Sequence, residues 1–268
     1  MNLRFNLFQT LCVVLLILGA AQSQDTFAQN PTPTPMPAPT PQFLSLIVLS
    51  VKPEMMGEFQ NFVKNTTNPA LKKGGASYRE VWQSTVAAGD AFEYVIVAPL
   101  DKFANFDGPS QLEKGLGSAQ AFAAWQTKAG SLVNSVRRFV IRTRPDLSSP
   151  PTGSGNPKMA VIHSVHVAPD RTDDYENFLK TNMAPAMKQA KVTFLVARTI
   201  FGGDANEYIT LTMRDSFADL DKGPVLVQAL GEEEARKLQQ KLPAGTVMHV
   251  ERWLSRFVPE LSITPTTP

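Results

Sequence analysis

The chain has 268 residues, 43% of them apolar, which allows two domains of about 100 residues, each with its own core. Its 26 basic and 24 acidic residues leave a formal charge of +2 with no Lys or Arg run, so a polyanionic partner such as nucleic acid is not expected. The single cysteine, Cys12, lies near the start, which leaves the rest of the chain without disulfides, thiolate nucleophiles or Cys-ligated metals.

Residues 1–23 carry Arg4, an apolar stretch over 11–21 and small residues at Ala21 and Ser23, the layout of a secretory signal cleaved after Ser23. Export to the periplasm or the extracellular space is expected, with no stable membrane insertion after cleavage. An uncleaved N-terminal anchor is the alternative. Residues 24–42 contain alternating prolines, which remove backbone donors and favour an extended spacer.

From residue 43 the chain repeats itself. Val51-Lys52-Pro53 returns 116 residues later as Val167-Ala168-Pro169, Phe62 as Phe178 and Pro69 as Pro185. Asp90-Ala91-Phe92-Glu93-Tyr94 returns after 114 as Asp204-Ala205-Asn206-Glu207-Tyr208, because the second copy has lost two residues. A repeat of this length is one small domain rather than a solenoid unit. The organisation expected is a first domain over 43–148, a linker over 149–157, a second domain over 158–261 and a disordered tail over 262–268.

In chain order, each copy opens with an apolar run, 43–51 and 159–167, that reads as a buried strand. Met56, Phe59, Phe62 and Val63, and then Tyr175, Phe178 and Leu179, follow at helical spacing. The stretches 77–85 and 193–201 run through turns at Gly89-Asp90 and Gly202-Gly203-Asp204 into strands over 94–98 and 208–212, each pair a hairpin. Helices over 118–129 and 232–241 lead to final strands over 132–142 and 246–256. The order βαββαβ predicts a 4-1-3-2 antiparallel sheet with both helices on one face. The other face requires a cover, and the same face of the second copy supplies one.

The Val-x-Pro ending of the first strand, the Glu-Tyr strand starts and the Asp-Lys-Phe-Ala and Asp-Ser-Phe-Ala turns at 101–104 and 215–218 resemble the dimeric α/β-barrel superfamily. The resemblance covers 43–261 and extends to fused tandem members and to the NIPSNAP-type and antibiotic-biosynthesis-monooxygenase-type branches. It implies an α+β fold: two ferredoxin-like domains packed sheet to sheet as an internal pseudo-dimer. Haem-degrading members use a helix-borne histidine, which neither copy has, so no cofactor is expected. The cofactor-independent monooxygenases use Asn, Trp and Tyr or His around an apolar pocket, groups that Trp82, Tyr78 and Asn134 supply, although offset counting places Arg198 opposite Trp82.

All three histidines belong to the second copy: His163, His166 and His249, against Ile47, Ser50 and Ser135 in the first. Period two sends His163 and His166 to opposite faces, while first and last strands are neighbours, so His249 approaches one of the two. Glu251 shares a face with His249 and forms a candidate imidazole–carboxylate couple for proton transfer. Packing histidines are the competing reading. A metal site on His163, His249 and Glu251 lacks any recognisable ligand spacing, and none is expected. The repeated Glu93 and Glu207, with the late arginines, read as scaffold. The expected function is binding of a small apolar or aromatic ligand by His163, His166, Trp253, Trp82 and Tyr78. A cofactor-independent monooxygenase or isomerase using His249 and Glu251, and a non-catalytic interaction module, are the alternatives.

Overall fold

The computed structural model describes residues 42–85, 90, 92–149 and 158–264. The expected secretory signal, all but Gln42 of the expected proline-rich spacer and most of the expected inter-copy linker lie outside the described residues.

The first half runs β1 (Phe43–Val51), α1 (Met56–Phe62), α2 (Asn68–Lys73), β2 (Glu80–Ser84), β3 (Glu93–Leu100), α3 (Gln111–Leu116), α4 (Ala119–Leu132) and β4 (Val133–Thr143). The second runs β5 (Met159–Val167), α5 (Thr172–Phe178), α6 (Ala184–Gln189), β6 (Phe194–Phe201), β7 (Glu207–Arg214), three short helices α7 (Ala218–Asp221), α8 (Val225–Leu230) and α9 (Glu232–Gln239), then β8 (Val247–Phe257). In both halves a π-helical turn, Val63–Thr67 or Leu179–Met183, separates the first two helices. The repeated prolines explain it. Pro69 and Pro185 lack an amide donor and their rings crowd the carbonyl four residues back, so the helix widens ahead of them.

The strands pair throughout in antiparallel fashion, β4-β1-β3-β2 in the first half and β8-β5-β7-β6 in the second. The inner sheet faces oppose one another as expected, but the halves are also joined through their edges. Trp82, Gln83 and Ser84 of β2 pair with Phe257, Arg256 and Ser255 of β8, and β4 pairs with β6, closing an eight-stranded barrel that leaves no free sheet edge.

Alternation along each strand divides the apolar residues among three cores. Outside the barrel, Val51, Phe59, Val63 and Tyr94 pack under the first-half helices, and Val167, Tyr175, Phe178 and Tyr208 under the second. Inside it, Leu44, Leu46, Trp82, Val97, Ile141, Ile162 and Ala197 line a lumen. The tyrosine of each Glu-Tyr pair is fully buried and anchors a helix: Tyr94 accepts from the Gln60 amide at 2.9 Å, and Tyr208 donates to Glu176 at 2.6 Å.

The two halves also exchange their C-terminal segments. Leu147 packs in the second-half core, Leu261 and Val258 in the first-half core. Ser148 Oγ accepts from Val196 N, and Ser262 Oγ accepts from Val81 N, both at 2.9 Å. Ser149 bridges to Phe194 and Ile263 to Arg79. The ordered chain therefore runs beyond 148 and 261. Ser149 opens the expected linker and Ile263 belongs to the expected disordered tail, yet each is almost wholly buried, because each completes the other half's sheet.

Candidate functional site

The lumen encloses a cavity of about 560 Å³, within the range of small-molecule sites. Its wall is mainly apolar, with Leu44, Leu46, Val97, Ile141, Leu211 and Trp253 among the lining residues. The local cause lies in one pair of equivalent positions. Trp82 pairs with Val95 and Ala197 with Ile209, so the structural counterpart of Trp82 is Ala197, not Arg198 as offset counting gave. An indole fills one side of the lumen and a methyl group leaves the other open. Arg198 instead lies on the outer face, its guanidinium 5.4 Å from the Tyr208 ring centroid.

Charged groups gather at one mouth. Because Trp82 lies opposite Phe257 and Ser84 opposite Ser255, moving along β2 toward the Glu93 end also moves along β8 toward the Glu251 end. Asp90, Glu93, Arg137, Glu207 and Glu251 all line the cavity. Glu93 and Glu207, which the repeat suggested were scaffold, thus face the lumen: they share the inward parity of Val95 and Ile209. Burial and, next, the neighbouring Asp90 push the Glu93 carboxyl above its ordinary range, against the Ser84 hydrogen bond and the Arg137 charge. The Arg137 guanidinium rests 4.9 Å from the Phe139 ring centroid.

A connected network surrounds Glu207. Ser164 Oγ donates to its Oε1 at 2.5 Å and Thr199 Oγ1 to its Oε2 at 2.8 Å. His166 Nε2 lies 3.3 Å from Ser164 Oγ, and His166 Nδ1 lies 3.3 Å from Asp204 Oδ2. The β6–β7 turn delivers Asp204. Gly202 has φ 90°, and a Cβ there would sit 2.1 Å from the Arg138 carbonyl oxygen, so the turn requires glycine. The Asn206 backbone N–H and then His166 hold Asp204 below the usual carboxylate range. The run Asp204–His166–Ser164 has the residue types of a hydrolytic triad, which sequence reading did not find. It is not built as one. Ser164 is 2% exposed, and its proton is directed to Glu207 rather than to the imidazole.

The histidines divide as period two requires. His166 stands opposite His249 in the β5–β8 register, with ring centroids 5.8 Å apart. His163 stands opposite Arg252 and has the outward parity of Val165, so it does not share a face with His249 and Glu251. Burial, then Arg252, lowers its imidazole pKa. His249 and Glu251 approach to 3.5 Å, but their side chains are 62% and 60% exposed, which makes the couple a solvated rim. Trp82 and Trp253 line the cavity, whereas Tyr78 is buried behind it and donates to Glu80, which also accepts from Trp82 Nε1 at 3.0 Å. Trp253 Nε1 is buried with no hydrogen-bond partner among the described residues.

Solved structures share this architecture at low identity. A monooxygenase-like protein from Lactobacillus acidophilus is 9% identical with a TM-score of 0.55, covering 84% of this chain and 97% of its own. Another from Fusobacterium nucleatum is 13% identical with a TM-score of 0.52, covering 83% and 94%. The chain has the dimeric α+β-barrel fold. A chlorite dismutase variant from Candidatus Nitrospira defluvii shares it at 12% identity and a TM-score of 0.52, covering 82% and 92%. No protein-family model and no curated protein sequence matches the chain.

Proposed function

We propose that this protein is an exported, tandem member of the dimeric α+β-barrel superfamily whose lumen binds a small aromatic molecule bearing a carbonyl or hydroxyl oxygen. The observation that carries the reading is the lumen itself: a cavity of about 560 Å³, largely apolar, lined by Trp82 and Trp253 with Arg137 and Glu207 among the polar lining residues. Arg137 on the same wall is a donor for a ligand oxygen. The duplicated strand pattern and the exchanged C-terminal segments support the tandem reading, and the layout of residues 4–23 supports export. An interaction module without a ligand requires a filled interior, which the lumen does not have.

Titration with β-tetralone, an apolar aromatic ketone, tests this directly. Tryptophan fluorescence is followed in a Trp125→Phe background, because Trp125 stacks with Phe62 and Phe122 on the helical layer, away from the lumen. Saturable quenching is expected from Trp82 and Trp253. Ala197→Trp, which places an indole opposite Trp82, should weaken binding at least tenfold while leaving the circular dichroism spectrum unchanged. Equal affinity in a folded Ala197→Trp protein would remove the lumen as the site.

A second reading, an enzyme without a cofactor, is favoured by one observation. The Glu207 network is held by Ser164 and His166, which the first half replaces with Val48 and Ser50.

A further inference from the structure

We propose that Asp204, His166 and Ser164 form a proton relay linking the solvated rim of the barrel to Glu207, making Glu207 the acid–base catalyst for an enolisable aromatic ketone bound in the lumen. The inference rests on the lumen being a binding site.

The geometry fits a relay because Ser164 can take part in only one pattern of donation at a time. In one placement His166 carries protons on both nitrogens. Nδ1–H then donates to the Asp204 carboxylate, Nε2–H to Ser164 Oγ, and the Ser164 hydroxyl to ionised Glu207, across separations of 3.3, 3.3 and 2.5 Å. In the other placement Glu207 is protonated and donates to Ser164 Oγ, whose own proton turns toward a neutral Nε2. The heavy atoms need not move. One proton passes from Nε2 to Oγ as another passes from Oγ to Oε1, so the net result is transfer between His166 and Glu207 with no change at Ser164.

The ends of the relay lie in different surroundings. The Asp204 side chain is 45% exposed and His166 30%, so this end exchanges with water. Ser164 is buried, and Glu207 lies on the cavity wall. Thr199 Oγ1 holds the second Glu207 oxygen and fixes the carboxylate plane. The charged groups facing His166 are Asp204, together with Glu207 across β5–β7, and His249, with Glu251 behind it, across β5–β8. The single-copy origin agrees with a specialised role: Ser84, the counterpart of Thr199, contacts Glu93 at 3.4 Å in the first half, but Val48 and Ser50 occupy the places of Ser164 and His166.

The lumen chemistry indicates the substrate class. Glu207 in its ionised form removes a proton from the carbon next to a carbonyl. The electron pair of that C–H bond forms the enolate C=C bond, and the negative charge collects on oxygen, for which Arg137 is the donor on the cavity wall. Once His166 has released its Nε2 proton to water and keeps only Nδ1–H toward Asp204, the Glu207 proton passes to Ser164 Oγ as the Ser164 proton passes to Nε2. Return by the same route to the carbon or to another position of the conjugated system gives exchange or isomerisation, with no oxidant or reductant involved.

The test uses the full chain, β-tetralone in D2O, and proton NMR to follow loss of the α-hydrogens, with affinity measured separately by fluorescence. The wild-type protein should accelerate exchange above the buffer rate. Glu207→Gln should lower the rate about a hundredfold at saturating β-tetralone, with saturable binding retained. Ser164→Ala should lower it too with β-tetralone still bound, whereas Ser164→Thr, which keeps the hydroxyl, should restore the rate. Binding without exchange by the wild type, or undiminished exchange in Glu207→Gln, would overturn the relay and leave the binding reading standing. Absence of binding would remove the lumen site, and the inference with it.

Discussion

Glu80 and Leu195 occupy equivalent places, opposite Val97 and Leu211, yet one is a carboxyl group sealed inside the barrel wall. Burial pushes the Glu80 pKa up to about 7, overcoming the hydrogen bonds from Tyr78 and Trp82 that favour its ionised form. In the unfolded chain the group returns to about 4.5, so between these values the folded state binds more protons and stability falls as pH rises. The loss is on the order of 3 kcal/mol and complete above about pH 7. Thermal unfolding from pH 4 to 8 should show this decline in the wild type and a flatter profile in Glu80→Gln. Identical profiles would mean that Glu80 is not sealed. Through Trp82 Nε1, Glu80 also fixes the indole that fills half the lumen, so Glu80→Leu should loosen Trp82 and weaken binding of β-tetralone.

At the scale of elements, the exchanged segments 145–149 and 258–263 make a distinct claim. Leu261 is contiguous with the second half in sequence but packs against Phe59, Val81 and Tyr94 of the first, and Leu147 does the reverse. Leu147→Ala and Leu261→Ala should each cost about 2–5 kcal/mol, and each should lower one shared urea transition. Two separated transitions would contradict the exchange.

The strand–helix order and the 4-1-3-2 pairing were legible in the sequence because period two and a duplicated spacing report directly on local structure. The β2–β6 equivalence was not. One residue is lost before β6 and another in the hairpin after it, so counting with a single offset slides Trp82 onto Arg198 instead of Ala197. Glu93 and Glu207 were misread for a related reason: recurrence in both copies says that a position is shared, and says nothing of which face it occupies. Parity did hold the signal. Ser164 and His166 are two apart and share a face, as do Glu207 and Ile209, and pairing β5 with β7 brings the two sets together.

At the scale of the whole molecule, barrel closure serves both stability and function. Eight strands remove every edge and enclose a lumen that one small residue, Ala197, keeps open. The outer surface carries a competing apolar feature, the exposed Phe103, Phe106 and Phe201 cluster. The most direct measurement of the central claim is therefore intermolecular NOE spectroscopy between β-tetralone and methyl-labelled protein. The lumen account predicts contacts to Leu46, Ile141 and Leu211. Contacts confined to the neighbourhood of Phe103 and Phe201, with none to those methyls, would contradict it.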